Sequence, residues 1–395
     1  MNLLFTQTAY PPSIGGAQIH LHQLCQKLSE QHTVKIASFW ATNRTDWLLG
    51  TTWFAPGEME YETDNIPVRL IHFSLREKIL MSPWVLGYYF WQSASIHKIA
   101  QVILPQLRSI GENADLVHHG RVGREPLAYA SLALASEKNI PFVLTPYHHP
   151  RWSSRSYRNY HYLYRQADAV VALTSAEAQT LEDLGVKRER IFIVGTGGVL
   201  SDTYDPTGFR KKYCITNEPL VLFIGQKYAY KGFTHLLKAA SYVWAELPEV
   251  QFLFVGPRTR FSRRVFWFVR DSRIIELGRI NAVEKTSALA ACDVFCLPSR
   301  QESFGGVFLE AWGMSKPVIG ADIPAVHEVI DNGKDGFICP PDPAVLAEHI
   351  LILLNNQVLR MKMGAAGYLK AVRDYNWSVL AERTEAIYSQ ILGKA

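Results

Sequence analysis

Two glutamates eight positions apart, Glu302 and Glu310, bracket a glycine pair in Arg300-Gln301-Glu302-Ser303-Phe304-Gly305-Gly306-Val307-Phe308-Leu309-Glu310. The apolar run before this stretch, 293–298, reads as a strand. The run after it, 307–314, reads as a helix. Glycines at a helix start let a ligand approach free backbone N–H groups, and the helix dipole favours negative charge there. Carboxylates repel a bare phosphate, but they accept hydrogen bonds from hydroxyls. The stretch therefore suits a ligand that is both phosphate and polyol, as a nucleotide sugar is. Glu302 falls in the loop and Glu310 about one turn inside the helix, so they do not stack on one helical face. Separate roles follow. The bland alternative is a pair of acids that simply favour a helix N-terminus.

Three further segments carry candidate chemistry. In Gly225-Gln226-Lys227-Tyr228-Ala229-Tyr230-Lys231-Gly232, Lys227 and Lys231 could clamp a diphosphate as point charges. The spacing is not that of a Walker loop. In Tyr10-Pro11-Pro12-Ser13-Ile14-Gly15-Gly16-Ala17, Gly15 and Gly16 could present N–H groups to a phosphate, without the dinucleotide G-x-G-x-x-G spacing. His118-His119-Gly120 and Thr145-Pro146-Tyr147-His148-His149-Pro150 place histidines at strand ends. There they could orient a sugar or meet a developing charge, or be satisfied structural residues. No histidine or cysteine spacing suggests a metal site.

These segments need a framework that delivers loops to one edge. Short apolar runs alternate with amphipathic stretches along the whole chain, which predicts parallel, doubly wound α/β sheets. The pattern breaks at Gly195-Thr196-Gly197-Gly198 and through 202–212, then restarts at 219–225. A domain boundary is expected near residue 205. In an open parallel sheet, ligands bind at the carboxyl ends of the strands. Two such sheets facing one another would make one deep cleft.

Composition agrees with this framework. The chain of 395 residues is 48% hydrophobic and 19% charged, ordinary for a folded protein with large cores. Its formal charge of +5 lies entirely in residues 206–395, since residues 1–205 hold 18 basic and 18 acidic side chains. That fits an anionic ligand and falls short of a nucleic-acid signature. Five scattered cysteines, Cys25, Cys214, Cys292, Cys296 and Cys339, read as reduced thiols of a cytoplasmic protein. The N-terminal residues lack a basic, cleavable leader, and no apolar run reaches the roughly 18 residues of a membrane span. Residues 258–270 mix five arginines with Phe261, Phe266, Trp267 and Phe268. They suit either a solvated basic helix or a membrane-surface contact. Trp84, Tyr88, Tyr89, Phe90 and Trp91 form an aromatic cluster, read as core or as a sugar-stacking surface.

Together the motifs resemble the retaining glycosyltransferases of family 4, over nearly the whole chain. Residues 298–311 resemble that family's E-x7-E signature, and Pro317-Val318-Ile319-Gly320 continues it. Residues 225–232 resemble its donor-phosphate loop, and Gly15-Gly16 its N-terminal glycine loop. The resemblance implies the GT-B fold: a Rossmann-like acceptor domain over 1–205, a Rossmann-like donor domain over 206–374, and a C-terminal helix in 375–395 packing back on the first. It implies a hexosyl transfer from a nucleotide-diphosphate sugar to a glycan, lipid or small-molecule hydroxyl, with retention and no metal or other cofactor. Polysaccharide or glycolipid biosynthesis with peripheral membrane contact fits that picture, and a nucleic-acid partner does not. Glu310 then binds the donor ribose, and Glu302 contacts the donor sugar. Phe304, Gly305, Gly306 and Val307 meet sugar and phosphate with backbone N–H groups. Gly225, Lys227 and Lys231 hold the diphosphate, and the base lies near Gly278. The family's arginine after the glycine is Gln226 here, so Lys227 is expected to substitute. The N-domain histidine that stands two residues after a threonine is Tyr147 here, and His148, with His149 as the alternative, takes the role. A non-catalytic nucleotide-sugar binder or a sugar-nucleotide epimerase on the same fold is the rival reading.

Overall fold

The structure, a computed structural model, describes residues 1–13, 15–42, 48–55, 59–123, 125–215 and 217–393. Ile14 of the N-terminal glycine loop lies outside them. The chain forms two compact units. One is Met1–Gly195 together with the residues from Trp377 onward, and the other is Thr196–Asn376.

The first unit holds an eight-stranded sheet. Its strands are β1 (Asn2–Ala9), β2 (Thr33–Trp40), β3 (Met59–Thr63), β4 (Ile66–Leu70), β5 (Leu116–Gly120), β6 (Phe142–Thr145), β7 (Ala169–Ala172) and β8 (Ile191–Ile193), in the order β3-β4-β2-β1-β5-β6-β7-β8. All neighbours are parallel except β3, which runs antiparallel to β4 at the edge. β1 is buried over all but its first residue, as expected for a central strand covered on both faces. One face packs on the helices Gln92–Ile110 and Glu125–Lys138. The other packs on Gly16–Ser29 and the C-terminal helix Trp377–Leu392. That last helix is pinned by Tyr388, whose hydroxyl lies 2.5 Å from His118 Nδ1 in the interior.

The second unit holds a six-stranded parallel sheet. Its strands are β9 (Leu220–Ile224), β10 (Gln251–Val255), β11 (Ile274–Leu277), β12 (Val294–Leu297), β13 (Val318–Ala321) and β14 (Gly336–Cys339), in the order β11-β10-β9-β12-β13-β14. The chain winds outward from β9 to β11, then returns to the centre and winds the other way. The loops after β9 and β12 therefore leave neighbouring strands at the point of reversal, where open α/β sheets open a crevice.

Two sequence expectations change. The division falls at Gly195/Thr196, ten residues before the expected boundary near 205. The reason is local: the Ser201 N–H donates to Thr286 Oγ1 at 2.9 Å and the Asp205 N–H to Ser287 Oγ at 2.9 Å, tying residues 196–205 to the second unit. The edge strand β3 went unread, because its sequence Met-Glu-Tyr-Glu-Thr lacks an apolar run.

His118 and His119 stand on β5 in the centre of the first sheet, fully buried. Burial pushes both imidazoles from 6.5 down to about 3, so they are neutral in the folded chain. Once unfolded, the same side chains take up protons below about pH 6.5. Stability from this source is thus complete above pH 6.5 and is lost as the pH falls toward 3, by up to about 1.4 kcal/mol per unit for each histidine. Urea denaturation at pH 7.5, 6 and 5 should show the first unit's midpoint falling at each step. A midpoint unchanged between pH 7.5 and 5 would contradict the burial argument.

Candidate functional site

The glutamate segment and the lysine loop meet at the reversal point of the second sheet. β9 ends at Ile224, and the loop through residue 232 leads into the helix Phe233–Trp244. β12 ends at Leu297, and the loop through Gly305 leads into the helix Gly306–Gly313. The two loops are joined by backbone. The Arg300 N–H donates to the Tyr230 carbonyl at 2.8 Å, and Ser299 Oγ, which donates to the Gln301 carbonyl at 2.9 Å, lies 3.4 Å from the same Tyr230 oxygen. Gly232 has φ 76°, and a Cβ on it would stand 1.9 Å from the Pro298 carbonyl oxygen. Only glycine admits both that conformation and that approach.

This seam brings Lys231 to Glu302. Lys231 Nζ donates to Glu302 Oε1 at 2.6 Å, and both side chains are largely buried. Gly305 is the N-cap of the next helix with φ 89°, again a glycine conformation, and no side chain caps the helix start. The first turn, at Gly306 and Val307, thus keeps N–H groups for an anion. Phe304 is buried, its ring edge-on to Tyr375 with centroids 5.4 Å apart.

Glu310, one turn along, has its own cation. Lys285 Nζ donates to Glu310 Oε1 at 2.6 Å, and the Val199 N–H reaches the same oxygen at 3.3 Å. Lys285 also donates to the Val199 carbonyl at 2.9 Å. Gly198 lies against the helix, where a Cβ would stand 3.1 Å from the Glu310 amide nitrogen. Lys285 was not foreseen. It stands on the helix Ala282–Ala291, whose sequence carries nothing to connect it with a residue 25 positions on.

Lys227 is a correction. Its side chain is fully buried and turned inward. The ammonium donates to the Gly256 carbonyl at 2.9 Å, to the Leu277 carbonyl and to the Glu276 carboxylate. Arg258 holds the other side of Glu276, with Nη2 2.6 Å from Oε2. Burial lowers the Lys227 pKa, with the Glu276 carboxylate opposing that shift. An ammonium engaged by three acceptors is not presented to a diphosphate, and the neighbouring Gln226 is the exposed residue. Gly225 and Gly278 lie at the ends of β9 and β11, their backbones tied to β10 by Gly225 N–H to Val255 O at 3.0 Å and Gly256 N–H to Gly278 O at 3.0 Å.

In the first unit, Gly15 caps the helix Gly16–Ser29 with an extended backbone, and the space where a Gly16 Cβ would sit is open. His148 is the second correction. It is 5% exposed, and Nε2 lies 2.9 Å from Ser153 Oγ, Nδ1 3.3 Å from the Tyr164 hydroxyl. Its own N–H donates to Glu177 Oε1 at 2.5 Å. Burial brings its pKa down to about 4. These contacts make it a structural histidine. The position two residues after Thr145 stays with Tyr147. Its φ of 48° turns the chain, and its hydroxyl lies 2.5 Å from His20 Nδ1. His20 is itself buried, with its pKa lowered to about 4 by burial, and packs edge-on against Trp377. His20 stands in the helix Gly16–Ser29, where nothing in the local sequence marks it off from the neighbouring His22.

Comparison with known proteins agrees with this arrangement. Residues 14–198 match the model of Glycosyltransferase Family 4, and residues 218–356 match that of Glycosyl transferases group 1. The phosphatidyl-myo-inositol mannosyltransferase of Mycobacterium tuberculosis is 35% identical over 180 residues, 44% of this chain and 47% of that protein. The matched stretch thus spans about half the length of that relative. The N,N'-diacetylbacillosaminyl-diphospho-undecaprenol alpha-1,3-N-acetylgalactosaminyltransferase of Campylobacter jejuni is 25% identical over 240 residues, 58% of this chain and 62% of its own. Among solved structures, Anabaena HepE in complex with UDP and glucose superposes with a TM-score of 0.75 at 18% identity, covering 99% of this chain and 100% of HepE. Two parallel-sheet units, the two family models across both halves and the shared fold agree: the chain belongs to the family 4-like glycosyltransferases of the GT-B fold.

Proposed function

We propose that this protein transfers a hexose-type sugar from a nucleotide-diphosphate sugar to an acceptor hydroxyl, with retention and without a metal. The observation that carries the reading is the Lys231–Glu302 pair beside the uncapped, glycine-led start of the Gly306–Gly313 helix. One lysine, one carboxylate and free N–H groups converge within a single pair of loops. Glu302 neutralises Lys231. When a donor binds, Lys231 spans the diphosphate oxygens and Glu302 accepts from sugar hydroxyls. Glu310 has one oxygen held by Lys285 and Val199, and its carboxylate accepts from the ribose hydroxyls.

For the reaction, the acceptor oxygen forms its bond to the anomeric carbon on the face from which the diphosphate departs. The anomeric C–O bond breaks with its electrons passing to the diphosphate, and the acceptor proton moves to a diphosphate oxygen. Lys231 and the N–H groups of Gly306 and Val307 stabilise the charge on the leaving group. The acceptor side is assigned to the first unit, where Gly15 and Gly16 lead a helix and Tyr147, paired with His20, takes the place of the expected histidine. The lipid-linked acceptors named for the mycobacterial and Campylobacter relatives support a glycolipid acceptor and peripheral membrane contact.

Donor affinity and turnover should separate in two variants. Glu310→Gln is expected to weaken donor binding roughly 10- to 100-fold, the range of one charge-assisted hydrogen bond, with kcat largely kept. Glu302→Gln should instead lower kcat by at least as much, with a smaller effect on binding. Calorimetry and initial rates read the split, and the opposite pattern would reverse the assignment. Isolation of a covalent glycosyl-enzyme in normal turnover would overturn same-face attack.

The donor itself is identified by thermal unfolding against UDP-, GDP- and ADP-sugars. A true donor at about 100 times its Kd stabilises by about 2.7 kcal/mol, and the shift should survive EDTA. Loss of both the shift and activity on chelation would sink the metal-free reading.

A further inference from the structure

We propose that the helix Leu75–Leu86 and the turn Gly87–Trp91 form a membrane-docking surface that seats the first unit on an anionic lipid bilayer. This deepens the peripheral-membrane reading above and is independent of the transfer chemistry. The helix Leu75–Leu86 buries only Met81 and Val85. Its outer side carries a second apolar stripe, Leu75, Ile79, Pro83 and Leu86, at helical spacing, with Leu80 beside it. Leu75, Ile79, Leu80 and Leu86 are 60–77% exposed. A surface helix ordinarily puts charge there.

The turn that follows extends the stripe with three successive aromatic side chains, Tyr89 at 78%, Phe90 at 85% and Trp91 at 62% exposure. The turn is firmly built. Tyr88 is buried and donates to Glu125 Oε2 at 2.8 Å. The N–H groups of Phe90 and Trp91 both bond to the Gly87 carbonyl, at 3.0 and 2.9 Å. The Trp91 ring covers Gly87 closely enough that a Cβ there would stand 2.6 Å from it. A rigid display of adjoining aliphatic and aromatic groups of this size marks an interaction surface.

Charge selects the occupant. The contact Ser93 Oγ to Asn159 Oδ1, 3.1 Å, brings the start of the helix Gln92–Ile110 against the helix Arg158–Gln166. Exposed Arg158 adjoins Asn159 in sequence, with exposed Arg155 three residues before Arg158, and exposed Arg76 and Lys98 flank the aromatic turn in sequence. The acid within residues 75–98, Glu77, is engaged in the capping box with Ser74. Tyr and Trp rings amid apolar side chains, rimmed by cations, match the headgroup boundary of an anionic membrane.

The test is co-sedimentation of the full chain with phosphatidylcholine vesicles, with and without phosphatidylglycerol, at low and high salt. Wild type is expected to sediment with the anionic vesicles. Tyr89→Ser/Phe90→Ser/Trp91→Ser should lower the partition coefficient at least tenfold. Arg155→Glu/Arg158→Glu should do the same at low salt only. Circular dichroism confirms that each variant folds, and the donor-induced thermal shift should be unchanged in both. Wild-type affinity in the triple-serine variant would overturn the proposal. So would binding lost only in Arg263→Glu/Arg264→Glu, which would assign docking to the basic helix of the second unit. Absence of vesicle binding with lipid-free self-association that the serine variant abolishes would also overturn it, making the surface a contact between copies. A wild type that binds vesicles but shows no donor shift would refute the transferase reading alone.

Discussion

The candidate site depends on one close approach, the seating of the Pro298 carbonyl against Gly232. The reversal of strand order sends two loops outward from neighbouring strands, but neighbouring loops commonly diverge. Here the left-handed glycine lets the backbone after β12 lie directly on the backbone after β9. The Arg300 N–H to Tyr230 carbonyl bond then closes the seam. Neither partner is a flexible side-chain end, so a Cβ at residue 232 could be relieved only by moving main chain. Lys231 and Glu302 are the residues next to this seam, and their ion pair is a consequence of it.

Electrostatics follow from that geometry. Removing a carboxylate from water costs several kcal/mol unless a cation or hydrogen bonds compensate. The site meets that condition twice, with different lysines: Lys231 for Glu302 and Lys285 for Glu310. The two acids are therefore independent, each with its own counter-ion. A ligand that presents hydroxyls to both and a diphosphate between them replaces contacts already polarised in the right sense. A third lysine, Lys227, is fully committed to Glu276 and the carbonyls of Gly256 and Leu277. It braces the ends of β9, β10 and β11 against one another.

Much of this was legible in the chain. Central parallel strands read as apolar runs because both faces are covered, so β9 and β12 stood out within a residue or two. The glutamate pair and its glycines were visible because all of them fall within residues 302–310. What escaped has a common cause. Lys227 and Lys231 look equivalent in sequence, and only the fold turns one inward. Lys285 reaches Glu310 from another helix. The step from Thr145 to the expected histidine fails by one residue, and it is the left-handed backbone at Tyr147 that decides which side chain turns toward His20. Local pattern reports burial and helix starts, and it is silent on which of two adjacent side chains the tertiary structure selects.

The two units also divide the physical labour. The interior histidines of the first, His20, His118, His119 and His148, are all held neutral by burial. They act through hydrogen bonds to Tyr147, Tyr388, Thr6 and Ser153, fixing side-chain positions without adding charge. Buried lysine–carboxylate pairs, among them Lys227–Glu276, Lys231–Glu302 and Lys285–Glu310, lie instead in the second unit. The second unit thus offers charges already paired, while the first offers neutral polar groups inside and an apolar outer face. That asymmetry suits a reaction in which the donor brings the charge that must be stabilised and the acceptor brings an uncharged hydroxyl.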